Sequence, residues 1–366
     1  EVKISSQVHL IGDPGDATPG PGPDAPTIGG CPVGITYCSG IEFLAPANGT
    51  TIEGFIVRDH DRNIGVNEIG GFGIFSKNQF NVPVTDITIN DNLFIDNRWE
   101  AIMFFSDGSL PSLYFDNVKA LHNRVENTAE STTAWVGIEC TNCRNSLIQG
   151  NIIEGKVEKG IWIASEGTGT NVNFTNGMGV VVTGNTVNGA VTAAIEVESF
   201  DTNGGSAAPF LTGVTISGNT LNRTSAIVGT QSDHLIFIHR DHFSLTDPSK
   251  ITDITISNNQ MDHSYGAFSA IYATVADQLT ITCNAITTTA HLWQHGAAIL
   301  LYNNGGDNLI SENHINILNI GTTSTAGIAL AYTSAVPGNS ENFIISRNTI
   351  TSASPMGSAG IHLTPG

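Results

Sequence analysis

Short runs of alternating apolar and polar residues, joined by an asparagine, recur along most of the chain. In the clearest copy, residues 180–188 read VVVTGNTVN, with Asn185 between two strand-like runs. Alternation with a period of two is typical of a strand that buries one face. The copies align on nine asparagines, which are Asn92, Asn123, Asn151, Asn185, Asn219, Asn259, Asn284, Asn313 and Asn348.

The spacing of these asparagines predicts a stack of repeated coils. Successive copies lie between 25 and 40 residues apart, and a unit of that length cannot bury its own apolar residues. Stacked units bury one continuous core. Asparagine suits the turn because it tolerates the left-handed backbone region. Its amide could also donate to the next asparagine at the strand spacing of about 4.8 Å.

A second phrase, a small residue followed by alternating apolar positions, comes after each asparagine unit. Residues 160–163 read GIWI and residues 194–197 read AIEV. Each coil therefore contains about three strand-like pieces. The pattern resembles the right-handed parallel β-helix repeat family of pectate lyases and their relatives. The resemblance implies an all-β, single-stranded, right-handed parallel β-helix solenoid of about ten to eleven coils, but no particular activity, because this fold carries many functions.

We expect one β-helix domain over residues 1–366. Residues 13–40 are rich in proline, glycine and aspartate, which predicts a long loop insertion there. The sequence begins and ends within strand-like runs, at residues 1–4 and 360–363, so we expect both ends to be truncated or uncapped. An uncapped coil exposes unpaired strand edges, which favours end-to-end self-association.

Charge and cysteine content restrict the partners and the compartment. The net charge is −19 with 14 Lys plus Arg, which argues against nucleic acid, because binding phosphate requires a basic surface. A polyanionic glycan would need a bridging cation, so Ca²⁺ is the candidate cofactor, although the sequence requires none. We predict a disulfide between Cys31 and Cys38, with Cys140 in the core or in a local disulfide, which favours an extracellular or cell-surface location. The sequence contains no signal peptide and no transmembrane stretch.

Alternation in the second phrase places two columns of side chains on the outer face of one sheet. The middle coils then bring acids, a histidine and aromatic rings together, as expected for a sugar-binding groove. The candidate catalytic residues are Glu139, Glu196, Glu198, His239 and Asp241. The candidate substrate-binding residues are Trp162, Phe237, Tyr272, Tyr302, Arg240 and Lys77.

The spacing of the acids is compatible with glycoside chemistry. Glu139 and Glu196 lie two coils apart, or roughly 9.5 Å between backbones. Carboxylates about 6.5–9.5 Å apart can hold a water molecule, as in inverting glycosidases. Repulsion between Glu196 and Glu198 could raise one pKa for a general acid. The alternative is that these acids merely cover a solvated face of an acidic protein.

Other reactions of this fold leave weaker signals. Residues 239–242 read HRDH, which is similar to the Asp-Pro-His run of β-helix alginate epimerases but lacks its proline. Polysaccharide lyases of this fold use lysine or arginine as base, and Arg240 and Lys77 are the basic candidates near the columns.

Two functions remain open from the sequence. The first is an extracellular carbohydrate-active enzyme, a polysaccharide lyase or glycoside hydrolase, with a groove walled by insertions that follow the second phrase. The second is a non-catalytic surface or structural protein, such as an adhesin, a sheath or filament subunit, or a phage-type receptor-binding β-helix.

Overall fold

The computed structural model is all-β. It describes residues 2–13, 19–22, 24–29, 38–58, 71–78, 82–106, 112–128, 134–167, 174–201, 209–223, 233–240, 250–264, 268–289, 297–318, 326–331, 342–353 and 359–364. The described strands form three long sheets, here called sheets A, B and C, and their pairings are parallel. No helix in the described part of the chain is long and apolar enough to cross a bilayer.

Sheet A takes one strand from each coil, in chain order. Its strands are Val2–Ile4, Cys38–Phe43, Gly71–Asn78, Glu100–Ser106, Ala134–Thr141, Val157–Gly167, Ala193–Asp201, His234–Arg240, Ile271–Thr274, Ala297–Tyr302, Ala326–Ala331 and Ala359–Thr364.

Sheets B and C complete each coil. The strands of sheet B are Thr27–Gly29, Ile56–Arg58, Leu93–Ile95, Arg124–Asn127, Ile152–Gly155, Thr186–Asn188, Thr220–Asn222, Gln260–His263, Ala285–Thr289, His314–Leu318 and Thr349–Ser352. The strands of sheet C are His9–Ile11, Thr51–Glu53, Val84–Thr85, Thr88–Asn90, Phe115–Asp116, Lys119–Leu121, Cys143–Arg144, Leu147–Gln149, Phe174–Met178, Val181–Thr183, Pro209–Ser217, Lys250–Ser257, Asp277–Thr282, Asn308–Ser311 and Phe343–Ser346.

This architecture confirms the predicted right-handed parallel β-helix. Because each coil pairs only with the coils before and after it, the twelve described strands of sheet A correspond to about eleven turns of the solenoid. Equivalent aliphatic residues stack along the axis; Ile138, Ile161 and Ile195 are aligned in register and are fully buried. Burying one such side chain stabilises the fold by about 1.5–3 kcal/mol.

The asparagine ladder is continuous through all nine predicted positions. Each side-chain amide donates to the Oδ1 atom of the next asparagine over 2.9–3.1 Å. The same Oδ1 atom also accepts the backbone N–H of the preceding asparagine, as in the bond from Asn151 to Asn185 of 2.9 Å. Even Phe55, which stands where an asparagine would begin the ladder, donates its backbone N–H to Asn92.

The left-handed backbone, however, is not at the ladder asparagine as predicted, but one residue before it. Gly184, Gly218 and Cys283 have φ values of 64°, 64° and 57°. The asparagine then has an ordinary backbone and points inward, where its amide satisfies buried groups of the turn.

A break in alternation shapes the outer face of sheet A. The small residue and the isoleucine of the second phrase both point into the core: a Cβ added to Gly160 would lie 2.5 Å from Val187, and Ala194 and Ile195 are both core residues. The residue before the small one therefore points outward. Sheet A consequently presents three outward columns rather than the predicted two.

The first coils and the cysteines differ in detail from the expectations. Thr27–Gly29, inside the predicted loop 13–40, pairs in parallel with Ile56–Arg58. A three-residue strand is too short to stand out from its proline- and glycine-rich surroundings. Cys140 is both a core residue and half of a local disulfide with Cys143. The predicted Cys31–Cys38 disulfide lies partly outside the described residues.

Candidate functional site

Five neighbouring coils place four glutamates, a lysine and a histidine on the outer face of sheet A. In the middle column, Glu139 pairs with Trp162, which pairs with Glu196. In the last column, Glu198 pairs with His239. We call this group the carboxylate cluster, and it consists of Glu100, Glu139, Lys159, Glu196, Glu198 and His239, all of which are buried.

Glu196 is the centre of the cluster and is 2% exposed. Its Oε1 atom lies 2.7 Å from the Lys159 ammonium and 3.0 Å from Nε2 of His239. Its Oε2 atom is buried and has no hydrogen-bond partner. Burial alone would raise the pKa of Glu196, but the bond from His239 and the charge of Lys159 together lower it. Glu196 is therefore an ionised carboxylate with one oxygen unused.

Glu198 is tied to the same cation and to an indole. Trp162 donates its Nε1–H to Oε2 of Glu198 over 3.0 Å, and the Lys159 ammonium is 3.6 Å from the same oxygen. That ammonium also lies 3.8 Å above the Trp162 ring. Lys159 thus bridges two carboxylates and an aromatic face, which fixes all three side chains.

The two basic groups are held in their charged forms. Burial lowers the pKa of Lys159, but Glu196 and Glu198 more than compensate, so its pKa is raised. Burial also lowers the pKa of His239, but the bond to Glu196 and the charge of Glu198 raise it overall. Both side chains therefore hold their protons more firmly than they would in water.

Glu100 and Glu139 form a carboxyl pair beside this ion cluster. Burial raises the pKa of Glu100 well above its ordinary value, and the Glu139 carboxyl raises it further. Burial also raises the pKa of Glu139, although it accepts hydrogen bonds from Glu100 and, over 2.6 Å, from Thr141. Two adjacent buried carboxyls cannot both ionise readily, so the pair retains a proton.

Several of the predicted aromatic residues lie next to the cluster. Phe237 stacks between His239, at 3.9 Å between ring centroids, and Tyr272, at 5.4 Å. Burial raises the pKa of Tyr272 to about 12, with a smaller contribution from Tyr302, which is therefore close by. Both faces of Phe237 are thus covered by other rings, and one face of Trp162 is covered by Lys159.

The remaining predicted residues lie away from the cluster. Lys77 sits 5.3 Å from the centroid of the Phe105 ring, several coils before Glu198 in the same column. Arg240 ends its strand, opposite Ser199, and is half-buried. Asp241 lies outside the described residues, as do most of the insertions that were expected to wall a groove.

Sequence reasoning missed Glu100 and Lys159. Both precede the inward pair of the second phrase, and strict alternation would have placed them on the core face. The usable signal was a charged residue directly before Ala101 in one coil and before Gly160 in another, because a charge cannot lie in an aliphatic core without a partner.

Three side chains of the carboxylate cluster could hold a metal ion, but the Lys159 ammonium competes for two of them. Single ligand atoms of Glu196, Glu198 and His239 lie within 4.8 Å of one another. Yet Lys159 already supplies positive charge to both carboxylates, and the same carboxylates raise the pKa of His239, so a metal ion would compete with a proton for its ring nitrogen. The residues present therefore fit a resident ammonium better than a cation cofactor.

Comparison with known proteins extends the fold assignment only. No protein-family model and no curated protein sequence matches the chain. A mutant of DFA-IIIase from Arthrobacter chlorophenolicus A6 matches with a TM-score of 0.57 and 14% identity, over 100% of this chain and 86% of that chain. The same enzyme without its lid matches with a TM-score of 0.51 and 11% identity, over 81% of this chain and 64% of that chain.

Another structural neighbour is named as an adhesin and not as an enzyme. The Streptococcus pneumoniae surface protein and adhesin PfbA matches with a TM-score of 0.51 and 13% identity, over 89% of this chain and 87% of that chain. At these identities the likeness shows a shared parallel β-helix and nothing about residue roles. The neighbours thus include both an enzyme, DFA-IIIase, and an adhesin.

Proposed function

We propose that this protein cleaves or transfers a glycosidic bond at the carboxylate cluster. The observation that carries the proposal is the arrangement of the carboxyl groups within one buried cluster. Glu100 and Glu139 form a carboxyl pair whose pKa values are raised by burial, while two coils away from Glu139 the contacts with His239 and Lys159 lower the pKa of Glu196. Carboxyl groups whose pKa values are shifted in opposite directions by their surroundings can provide the acid and the base that glycoside chemistry needs.

Each residue has a defined part in this proposal. Glu139, sharing its proton with Glu100, would protonate the oxygen of the departing sugar. The free Oε2 atom of Glu196 would attack the anomeric carbon or take a proton from water. Lys159 and His239 would hold Glu196 in place and keep it ionised. Glu198, oriented by the Trp162 indole, would accept a bond from a sugar hydroxyl.

The charge state of the basic residues makes lyase and epimerase chemistry the weaker alternatives. The lyases of this fold use a lysine or arginine base, which must lose its own proton before it can remove a carbon-bound proton. Lys159 and His239 are the basic side chains within the described cluster, and both have raised pKa values because they face carboxylates. Hydrolysis or transfer requires only the carboxylates, which is why we favour it.

A non-catalytic surface protein is the second candidate function, and burial of the cluster favours it. Glu139 and Glu196 are 1% and 2% exposed, so in this conformation a substrate does not reach them. A closed ion cluster could instead stiffen the face of an adhesin, the type of protein named for PfbA. An extracellular or cell-surface location suits both functions, and end-to-end self-association belongs to this second one.

Replacing Glu196 with glutamine distinguishes the two functions. On a panel of polysaccharides assayed for new reducing ends, we expect Glu196→Gln and Glu139→Gln each to lower kcat by about 10²- to 10⁴-fold, the usual contribution of a positioned acid or base. The matched control is Glu154→Gln, since Glu154 lies on sheet B and pairs with Arg124 at 2.8 Å. That variant should keep full activity.

Folding is checked separately by thermal unfolding. Glu139→Gln carries the test if Glu196→Gln fails to fold, because a neutral amide can replace a carboxyl that already shares a proton. Unsaturated products from the same panel would favour a lyase. Full activity in both folded variants, or no activity of the wild-type protein on any glycan, would contradict the proposal.

A further inference from the structure

Five aromatic side chains, one from each of five consecutive coils, form a row beside the carboxylate cluster. The neighbouring ring centroids are 5.5–5.9 Å apart. The row contains three of the four tryptophans of the chain. From the N-terminal end, its members are Phe72, Trp99, Trp135, Trp162 and Phe200.

The row is continuous with the proposed site. Trp162 belongs to both, because its ring contacts Trp135 at 5.8 Å and its Nε1–H is bonded to Glu198. Together with Val136 and Ala164, Trp162 forms a small apolar cluster on the outer face of sheet A, against which Trp135 and Phe200 pack. The row thus leads from the acids towards the N-terminal coils.

Trp99 and Trp135 are the members of the row best placed to meet a ligand. Both are partly exposed, whereas Trp162 is 6% exposed and carries Lys159 on its ring. Trp135 is tilted by 55° against Trp99 and by 49° against Trp162, so neither of these two rings stacks in parallel on its face. A partly exposed indole is a rigid apolar platform that also offers a polar N–H group.

The charge of this region restricts what can lie on the platform. The cluster holds four carboxyl groups, and its two cations are already bound to Glu196 and Glu198. The whole chain carries a net charge of −19. A sugar bearing carboxylate or sulfate groups would meet repulsion from these carboxyl groups. An uncharged sugar, by contrast, presents an apolar ring face to the indoles and hydroxyl groups to the carboxylates.

We infer that Trp99 and Trp135 bind a neutral oligosaccharide that extends along the helix axis from the carboxylate cluster towards the N-terminal coils. The inference rests on the proposed function and adds the substrate class and the direction of the bound chain. The ring spacing is comparable to the length of one hexose unit, so successive sugars can stack on successive coils. Short sugars would lie beside the cluster only, and longer ones would reach Trp135 and then Trp99.

Tryptophan fluorescence and calorimetric titration test this inference without requiring turnover. Neutral oligosaccharides of two to six units are titrated into the full chain, with uronic-acid oligomers of equal length as the charged comparison. We expect neutral chains to quench fluorescence, with affinity rising with length. Trp135→Leu should weaken binding of the longer chains about ten-fold, equivalent to about 1.4 kcal/mol. Trp99→Leu should weaken binding of only the longest chains, and Trp135→Phe should keep most of the wild-type affinity.

The matched control is Tyr114→Leu, an aromatic replacement on a different part of the solenoid, where Tyr114 packs against Arg144. It should leave binding unchanged. Glu196→Gln should still bind the neutral chains, which separates failure of catalysis from failure of this inference. Equal affinity of all variants would mean that the row only packs the fold. Tighter binding of the uronic-acid oligomers, or no binding of any neutral chain, would also overturn the inference.

Discussion

At the scale of single residues, the outer face of sheet A shows how position decides the charge of a side chain. His234 and His239 lie on the same strand, five residues apart. His239 meets Glu196 and Glu198, which raise its pKa. His234 packs among Phe237, Phe268 and Tyr272, and burial lowers its pKa to about 4. The surroundings of His239 therefore favour its charged form, while His234 is a neutral hydrogen-bond donor to Ser269.

Neutral His234 predicts loss of stability in mild acid. Its pKa in the folded state lies below the unfolded value of 6.5, so its contribution is complete above pH 6.5 and is lost as the pH falls towards 4. The loss amounts to roughly 3 kcal/mol, at about 1.36 kcal/mol per pKa unit. In urea titrations between these pH values, His234→Gln should therefore lose less unfolding free energy than the wild type, because glutamine can donate to Ser269 but does not titrate.

The two proteins are compared by the slope of their unfolding free energy against pH, since the substitution also changes packing and therefore the absolute stability. His314→Gln, at an exposed position of sheet B, serves as the control and should follow the wild-type curve. The neighbouring groups His263, Asp233 and His239 are present in both proteins, so the difference between the two slopes reports the replacement of His234. Parallel curves for wild type and His234→Gln would show that His234 is not the acid-sensitive group.

At the scale of elements, the asparagine ladder ties each coil to the next. Asn185 shows the density of these bonds: it accepts from the backbone N–H and the amide of Asn151, and it donates to Ile148 and Asn219. The ladder also fixes the register of sheets B and C, because the asparagine sits at the corner between them. A slip of one residue would place the amide outside the turn and leave these groups without partners.

Removing one rung should therefore be costly. Asn185→Ala leaves several buried groups on Asn151, Ile148 and Asn219 unpaired, at about 1–3 kcal/mol each, so we expect a loss of at least about 3 kcal/mol in unfolding free energy. The control is Asn188→Ala, three residues later, where the amide is half-buried and accepts only from Asn222 among the described bonds to its Oδ1 atom. Equal losses in chemical denaturation would refute a special role for the ladder.

At the scale of the whole molecule, the dominant feature is excess negative charge on a long stack of coils. The net charge of −19 is spread over a solenoid whose coils contact only their neighbours. Such self-repulsion keeps strand-rich proteins soluble but destabilises the compact state. The same charge disfavours nucleic acid and polyanionic glycans, unless a cation screens or bridges it.

Salt should therefore stabilise the protein. Raising NaCl from about 10 mM to about 150 mM shortens the Debye length from about 30 Å to about 8 Å. We expect the Tm to rise by roughly 2–4 °C. Choline chloride at equal ionic strength should act alike if the effect is screening. A further rise with millimolar CaCl₂ at constant ionic strength would indicate a specific Ca²⁺ site, while an unchanged Tm in NaCl would rule out self-repulsion as a major cost.

The sequence by itself determined the solenoid. In a typical repeat the inward-pointing residues can be identified from the local sequence, as an isoleucine after a small residue and an asparagine at the corner. These signals recur in most coils, so an error in one copy does not change the conclusion. The two outward columns through Glu196 and Glu198 were also readable, because alternation after the isoleucine is regular.

Only the tertiary structure decided the composition of the site. Lys159 and Glu100 reach the outer face because the two residues that follow each of them both point into the core. A strictly alternating pattern does not predict two adjacent inward residues. Burial of the outer face was equally invisible, since it depends on how side chains of neighbouring coils pack on one another. Alternation predicts a row of exposed acids on this face. In the folded protein they form a buried cluster, in which Glu100 and Glu139 are a carboxyl pair and Lys159 supplies a counter-charge.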